Sequence, residues 1–305
     1  MNISDLKDIS MNLFLIILIQ FDEDFFYQKK YEYREDDTMD LHDYSDVAEN
    51  YDLYLDVMYK DQDNHAGFLD FYLDFAKKYG ENGVIDIACG TGAVLLHLAQ
   101  NGIMADGTDL SEAMCNVASA KARDKGYDLN IFPGNMTEFR ADHKYSCAII
   151  ARSGFMHLIT PELQRAALLN IKENLVDGGM LTFNTFDPNP YFQAQQMDQS
   201  DSDYEYRLEY VNKEGHREKI YNAISYDPYT QIMSGNWKFE TLDDNGGVIA
   251  ERIRPLKMRQ SYRQEIKYLL ELCGFEIVNI YGGYNYEPSD ACARNVIWCV
   301  RKKKA

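Results

Sequence analysis

The chain has 305 residues, 46% of them hydrophobic and 26% charged, with a formal net charge of −18 at pH 7. That mix is ordinary for a folded protein, and the length suits one large domain or a domain carrying an insertion. So acidic a surface repels phosphate backbones, which argues against a nucleic-acid partner; the compact basic run, Arg301 to Lys304, reads as a solvated terminus.

Residues 1–38 are poorly patterned and end in the acidic "REDD" before Thr38. They hold an apolar run of seven residues, "LFLIILI" from Leu13 to Ile19, against the roughly 20 that a membrane-spanning helix needs. No basic segment precedes it and no small-residue cleavage site follows, so neither a membrane span nor a signal peptide is expected. The segment is either an appended leader, with the body starting near Met39, or a packed N-terminal helix.

From Tyr44 to Tyr79 apolar and aromatic residues recur at helical spacing, predicting two helices broken around "KDQDNHAG". Alternating units follow. "GVIDIA" is a buried strand and "GAVLLHLAQNG" a helix ending at Gly102. "IMADGTDL" is a strand, and "SEAMCNVASAKARDKG" a helix capped by Ser111. "DLNIFPGNM" and "YSCAIIA" are strands. "TPELQRAALLNIKENLVDGG" is a helix with Thr160 as its N-cap, Pro161 at its first position and Gly178-Gly179 as its stop, and "MLTFNTF" is the strand after it. Between Tyr204 and Met258 four strand-length segments separated by "KEGH", "PYT" and "DNGG" predict an antiparallel meander. A helix over "SYRQEIKYLLELCGF" and two strands, "FEIVNIYGG" and "NVIWCVRK", close the chain.

Short apolar strands alternating with helices mean a parallel sheet. The expected fold is α/β, a doubly wound, mostly parallel seven-stranded Rossmann-like sheet with an antiparallel insertion between strands five and six. The expected divisions are the leader 1–38, a cofactor-binding core 39–203, the insertion 204–258 and the C-terminal part of the core 259–305. The six cysteines, Cys89, Cys115, Cys147, Cys273, Cys292 and Cys299, form no Cys-x-x-Cys pair. They argue against zinc or any other metal and for a reducing, cytoplasmic setting.

The stretch "NGVIDIACGTGAV", Asn82 to Val94, sets an aspartate inside a buried strand before a glycine turn. In an open parallel sheet that turn lies at the ligand-binding, carboxyl end of the strands. A phosphate-binding loop needs a lysine after the last glycine, and none follows Gly92. A dinucleotide turn wants a third glycine where Leu95 stands, and Asp86 would repel a pyrophosphate. A cationic ligand, ammonium or sulfonium, is favoured. Asp109, ending the second strand in "GTDLS", is placed to accept hydrogen bonds from both ribose hydroxyls; alone it would be a helix N-cap. Asn135 and Met136, after the third strand, suit an adenine edge and face.

With these residues the sequence resembles the class I S-adenosylmethionine-dependent methyltransferases of the small-molecule type, similar to the amino-sugar and glycine N-methyltransferase-like group. The matching stretches are "VIDIACGTG", "GTDLS", "GNM" and "LVDGGMLTFNTF", with "YSDVAENYDLYL" resembling the helix ahead of the first motif. The resemblance implies S-adenosyl-L-methionine as cofactor and a small-molecule methyl acceptor, an amine or a hydroxyl. It assigns Asp86 to the polar network of the cofactor site, and backbone around Ala88, Gly90 and Gly92 to the cofactor. Asp109 takes the ribose, Tyr51 caps the site, and Leu110, Asn135, Met136 and Ala151 complete the set. Asn135 departs from the aspartate often found there.

The fourth strand ends in "ARSGFMHL", which by resemblance borders the reacting methyl. His157 is the candidate general base, or else a structural histidine. Arg152 and Ser153 are candidate acceptor contacts. "RIRPLKMR" gathers Arg252, Arg254, Lys257 and Arg259 in an acidic chain, and Arg254 is the candidate to receive an anionic acceptor group; charges guarding a strand edge are the alternative. The insertion either covers the acceptor or makes a homodimer contact. A non-catalytic cofactor-binding scaffold and a nicotinamide-dependent oxidoreductase are the competing functions.

Overall fold

Short strands alternate with helices through the first half of the body, and an antiparallel meander follows them. The structure is a computed structural model. It describes residues 44–60, 67–188, 190–197, 199–200, 202–290, 293 and 295–304. The leader, "LFLIILI", Cys292 and the break expected at 61–66 lie outside the described residues.

Two helices lead, α1 (Tyr51–Tyr59) and α2 (Phe68–Tyr79). α2 buries Phe68, Phe71, Tyr72, Phe75 and Ala76, the spacing of one apolar face. Then come β1 (Val84–Ile87), α3 (Ala93–Gln100), β2 (Asp106–Asp109), α4 (Glu112–Asp124), β3 (Ile131–Pro133), β4 (Tyr145–Ile150), α5 (Pro161–Asn174), β5 (Leu175–Phe186) and a short α6 (Pro190–Gln196). Ser111 accepts the N–H of Met114 and Thr160 that of Leu163, so both are N-caps, and Pro161 opens α5. The meander β6 (Glu205–Val211), β7 (Arg217–Asp227), β8 (Ile232–Leu242) and β9 (Val248–Arg259) follows, then α7 (Arg263–Leu272), β10 (Phe275–Tyr281) and β11 (Asn295–Lys302).

The main sheet has seven strands in the order β10-β11-β5-β4-β1-β2-β3. β1 to β5 run parallel, and β11 is antiparallel to both its neighbours. The chain leaves β1 toward β2 on one side and returns to β4 on the other, so the crevice at the carboxyl ends of β1 and β4 is a topological switch point. Helices cover both faces. Ile85, Ile87, Ile150, Leu181, Phe183 and Trp298 pack with Leu168 and Ile171 of α5 and Leu270 of α7. Val84, Ile149, Met180 and Ile297 pack with Phe71, Phe75 and Leu98 of α2 and α3. Burial on both faces is why these strands read as unbroken apolar runs.

One boundary differs from expectation. α5 ends at Asn174, and Leu175, fully buried and in extended conformation, already begins β5. Gly178 and Gly179 therefore do not stop the helix. They lie within β5, where the pairing with β4 jumps from Tyr145–Leu175 to Cys147–Met180 and Gly178 takes φ +80°. The pull of Leu175 into the core outweighs the local stop signal.

The meander forms its own four-stranded sheet in the order β6-β7-β8-β9. Leu208, Tyr210, Ile220 and Phe239 pack against Val47, Tyr54 and Leu55 of the leading segment. Tyr226, Met233 and Met258 pack on Met156, in the loop after β4. Glu218 is buried on this sheet, accepting from the hydroxyls of Tyr210 and Thr241 and paired with Arg252 at 3.1 Å. Among the described residues no helix is long and apolar enough to cross a membrane.

Trp298 is the largest fully buried side chain; it stacks on Phe183 and donates Nε1–H to Thr185 Oγ1 at 3.1 Å. Trp298→Ala should cost about 3–5 kcal/mol, read as a lower urea midpoint with native secondary structure retained by circular dichroism. A loss under 1 kcal/mol would show that this side chain does not anchor β11 in the core beneath α5 and α7.

Candidate functional site

The site begins at two short turns side by side. β1 ends at Ile87, and Ala88, at φ +56°, leaves it in the left-handed region. β4 ends at Ile150, and Arg152 and Ser153 take φ +49° and +62°. Strained non-glycine residues of this kind cost about 1–3 kcal/mol each and persist where surrounding structure fixes them, often at functional sites. The two turns interlock: a Cβ on Gly154 would lie 3.1 Å from Ala88 Cβ.

Gly90 and Gly92 both have positive φ, +55° and +80°. At Gly92 a Cβ would press on Ala118 Cβ at 3.0 Å, so this glycine lets α3 start close against α4. At Gly90 an added Cβ would meet nothing within 4 Å. The backbone there faces open space. Its N–H donates to Asp109 Oδ2 at 2.8 Å, and Ser111 N–H donates to Asp109 Oδ1 at 2.9 Å. Asp109 thus stitches the β1 turn to the β2 turn, and each oxygen keeps further acceptor capacity. Burial raises its pKa from the usual range, opposed by those two N–H bonds.

Asp86 sits one strand inward. Its side chain is 1% exposed and its Oδ1 has no hydrogen-bond partner. Burial, with Asp109's charge added, pushes its carboxyl well above the usual carboxylate range. A desolvated carboxylate with an orphaned oxygen is costly unless a cation meets it.

α1 roofs this crevice. Asp52 accepts from Thr91 Oγ1 at 2.6 Å and from Lys121 Nζ at 2.6 Å, and Lys121 also donates to the Thr91 carbonyl at 2.8 Å. This tripod fixes the first turn of α1 to the glycine turn. Tyr51 and Tyr44, both half-buried, stack edge to face at 6.0 Å. Burial raises the Tyr44 hydroxyl against the pull of Arg254, with Asp109 adding to the rise. Burial likewise raises Tyr51, with Tyr44 adding and Arg152 opposing. Tyr51 therefore lies within the electrostatic reach of both Asp109 and Arg152.

Arg152 projects its guanidinium over the rings of Tyr59 (5.0 Å) and Phe68 (4.6 Å), and its Nη1 is buried without a partner. Arg254 lies on the Tyr44 ring at 3.3 Å. His157 ends the short 3₁₀ turn Gly154–His157 on the same loop as Arg152, half-buried. Ser153 is placed otherwise than a free acceptor contact. Its N–H donates to Asn184 Oδ1 at 2.8 Å and its hydroxyl accepts from Asn184 Nδ2 at 2.9 Å, in a buried network that reaches Asn295. The basic run "RIRPLKMR" does not gather either. Strand alternation puts Arg252 and Arg254 on the face toward α1 and Lys257 and Arg259 on the other, where Arg259 donates to Thr230 O and Gln231 Oε1.

On the far side, Leu110 is 49% exposed, an apolar side chain at the mouth of the crevice. Asn135 Oδ1 accepts from Thr137 N–H at 3.0 Å and from Thr137 Oγ1 at 2.9 Å. That turn fixes the loop after β3, beside the half-buried Met136. Ala151 is buried at the end of β4. Sequence reading singled out Tyr51 but passed over Tyr44, Asp52, Tyr59, Thr91 and Lys121. The signal for Asp52 is its position beside Tyr51, at the start of the helix; the partnership with Lys121 spans 69 residues and has no local signature. Among the described residues no cluster of metal-binding side chains occurs.

Residues 84–179 match the family model described as a methyltransferase domain. A protein from Geobacillus sp. (strain WCH70), named as a methyltransferase, is 33% identical over 111 residues, 35% of this chain and 45% of its own length. A dTDP-3-amino-3,4,6-trideoxy-alpha-D-glucopyranose N,N-dimethyltransferase from Streptomyces venezuelae is 32% identical over 100 residues, 33% of this chain and 40% of its own length. The matches thus span less than half of these curated relatives. A solved S-adenosylmethionine-dependent methyltransferase from Clostridium acetobutylicum shares the fold, with a TM-score of 0.68 at 16% identity over 85% of this chain and 99% of that one. The residues present fit that group's sulfonium cofactor on two structural points: the orphaned Asp86 oxygen and the open face at Gly90.

A carboxyl whose pKa is raised by folding keeps its proton over a pH range in which the unfolded chain has released it. Between the unfolded value of about 4 and Asp86's raised folded value, stability therefore falls as pH rises. Asp86→Asn removes that liability. Without ligand the variant should melt above the wild type at neutral pH, by a margin that shrinks toward pH 4. It should also lose at least roughly tenfold in affinity for S-adenosylmethionine, about the value of one charge-assisted interaction. Melting curves across pH and a calorimetric titration check both; a variant less stable than the wild type at neutral pH would contradict the buried-carboxylate argument.

Proposed function

We propose that this chain, with its methyltransferase domain at residues 84–179, transfers the methyl group of S-adenosylmethionine to the nitrogen or oxygen of a small-molecule acceptor. The observation that carries the reading is Asp86, a buried acidic side chain at the switch point of the sheet whose Oδ1 has no hydrogen-bond partner among the described residues. It complements a ligand with positive charge and disfavours a pyrophosphate, which speaks against a nicotinamide cofactor.

In this reading Asp109 keeps its bonds to Gly90 and Ser111 and offers its remaining lone pairs to the ribose hydroxyls. Ala88, Gly90 and Gly92 present backbone to the amino-acid portion of the cofactor. Leu110, Asn135, Met136 and Ala151 surround the adenine side. Tyr51 closes the site from α1, held there by the Asp52 tripod. The bound sulfonium supplies an electrophilic methyl carbon, which leaves a neutral thioether when transferred. The chain's own contribution is positioning. The interlocked turns after β1 and β4 set the line of approach, and α1 with the meander excludes water, which is where most of the acceleration of such a displacement arises. The acceptor gives up a proton as its new bond to carbon forms, and His157, on the loop after β4, is the base assigned to take it. The Streptomyces venezuelae relative's name, an N,N-dimethyltransferase, supports nitrogen as the acceptor atom.

Two measurements test the reading. S-adenosylmethionine and its demethylated product should raise the melting temperature as their concentration rises, and NAD should not; equal stabilisation by NAD defeats the cofactor assignment. Labelled methyl donor, incubated with the protein and a metabolite extract, should give one labelled small product identified by mass. With that product in hand, His157→Gln should lower turnover roughly 10²- to 10⁴-fold without changing cofactor affinity. The rise of the wild-type rate with pH through the histidine's titration should vanish in the variant. A shared pH profile would return His157 to a structural part.

A further inference from the structure

Resting on that reading, we infer that the acceptor carries an oxyanion, a carboxylate or a phosphate, close to its nucleophilic atom, and that Arg152 and Arg254 bind it from either side of Tyr51. The argument starts from charge. The chain is strongly acidic, 49 Asp and Glu against 31 Lys and Arg, and most of the basic side chains with assigned partners meet carboxylates. These two do not. Among the described residues neither guanidinium comes within ion-pair distance of a carboxylate, and each keeps a buried donor with no hydrogen-bond partner, Nη1 of Arg152 and Nη2 of Arg254. Arg254 is only 8% exposed. A buried cation with an unmet donor is among the costlier things a fold can hold.

What the two arginines have instead is aromatic faces. Arg254 lies on Tyr44, and Arg152 lies over Tyr59 and Phe68. Stacking supports the plane of a guanidinium but leaves its in-plane N–H donors aimed sideways. That is the arrangement in which arginine receives a planar or tetrahedral oxyanion. The rings join the two cations into one wall. Tyr44 meets Tyr51 at 6.0 Å, Tyr44 feels Arg254, and Tyr51 feels Arg152. Asp109 and Asp46 act on Tyr44 only across space, and Asp46 faces Arg252 at 3.8 Å.

Position then narrows the acceptor. Arg152 directly follows Ala151 at the end of β4, on the turn interlocked with Ala88. A group bound there is beside the reacting centre. The acceptor's charge must therefore lie within a few bonds of its nucleophile, and a neutral or cationic acceptor would leave both donors unmet. The inference separates from the wider function: a methyltransferase with a neutral acceptor would keep every cofactor contact described above.

The test uses the whole protein saturated with S-adenosylhomocysteine. Acetate, inorganic phosphate and inorganic diphosphate are titrated by calorimetry at constant ionic strength, with chloride as the reference. At least one oxyanion should bind tenfold or more tightly than chloride. Arg152→Gln and Arg254→Gln should each weaken that binding tenfold or more, Arg254→Lys should restore part of it, and Arg301→Gln, a surface residue paired with Glu276, should leave it unchanged. Acetate alone binding assigns a carboxylate acceptor; phosphate or diphosphate binding assigns a phosphate-bearing one. No oxyanion exceeding chloride on the wild type, or equal binding by the glutamine variants, overturns the inference. Should either variant not fold, the wild-type series against chloride still decides. Failure of S-adenosylhomocysteine itself to bind defeats the proposed function, and that outcome is read separately from the anion series.

Discussion

An aspartate side chain removed from water, with one oxygen left without a partner among the described residues, is the constraint on which the rest of this structure turns. Asp86 is held inside β1 by neighbours on both sides, β2 and β4, and cannot swing to solvent. Everything near it faces the same deficit. Asp109 adds negative charge a strand away, while the backbone N–H groups of Gly90 and Ser111 offset that charge and no more. Beyond the two turns, Arg152 Nη1 and Arg254 Nη2 are likewise buried with no hydrogen-bond partner among the described residues.

The centre of the main sheet is legible in the sequence because β1, β4 and β11 are buried on both faces, and α4 and α5 carry their own start signals. Ser111, Thr160 and Pro161 mark their helices in the structure as in the sequence. The meander was legible from its turns. Gly178 and Gly179 misled, because a glycine pair signals a stop only while the local chain decides; here the burial of Leu175 decides instead. The basic run on β9 misled for a related reason. Proximity along a strand is not proximity in space, since alternate side chains leave from opposite faces.

The candidate site was legible only where its chemistry is local. Asp86, the glycines and Asp109 fall within one strand–turn–strand unit and can be read together. Tyr44, Asp52 and Lys121 belong to the site through tertiary contacts of long sequence separation, and a single sequence carries no trace of such pairing. Ser153 shows the opposite case. Its place in the loop invites a functional reading, while the hydroxyl is committed to Asn184 within the core.

The roof formed by α1 has two unequal attachments. Toward the meander it is held by packed aromatic and aliphatic side chains, Tyr54 and Leu55 among Leu208, Tyr210, Ile220 and Phe239. Toward the glycine turn it is held by the Asp52 tripod, whose charged ends are partly solvated, at 41% exposure for Asp52 and 29% for Lys121. An ion pair so placed contributes little, about 0–1 kcal/mol, whereas burial of several large side chains contributes several times that. The seam of least resistance therefore runs between roof and sheet, not between roof and meander. Tension on that seam would break the contacts of Asp52 with Thr91 and Lys121 before it disturbed the packing of α1 on the meander.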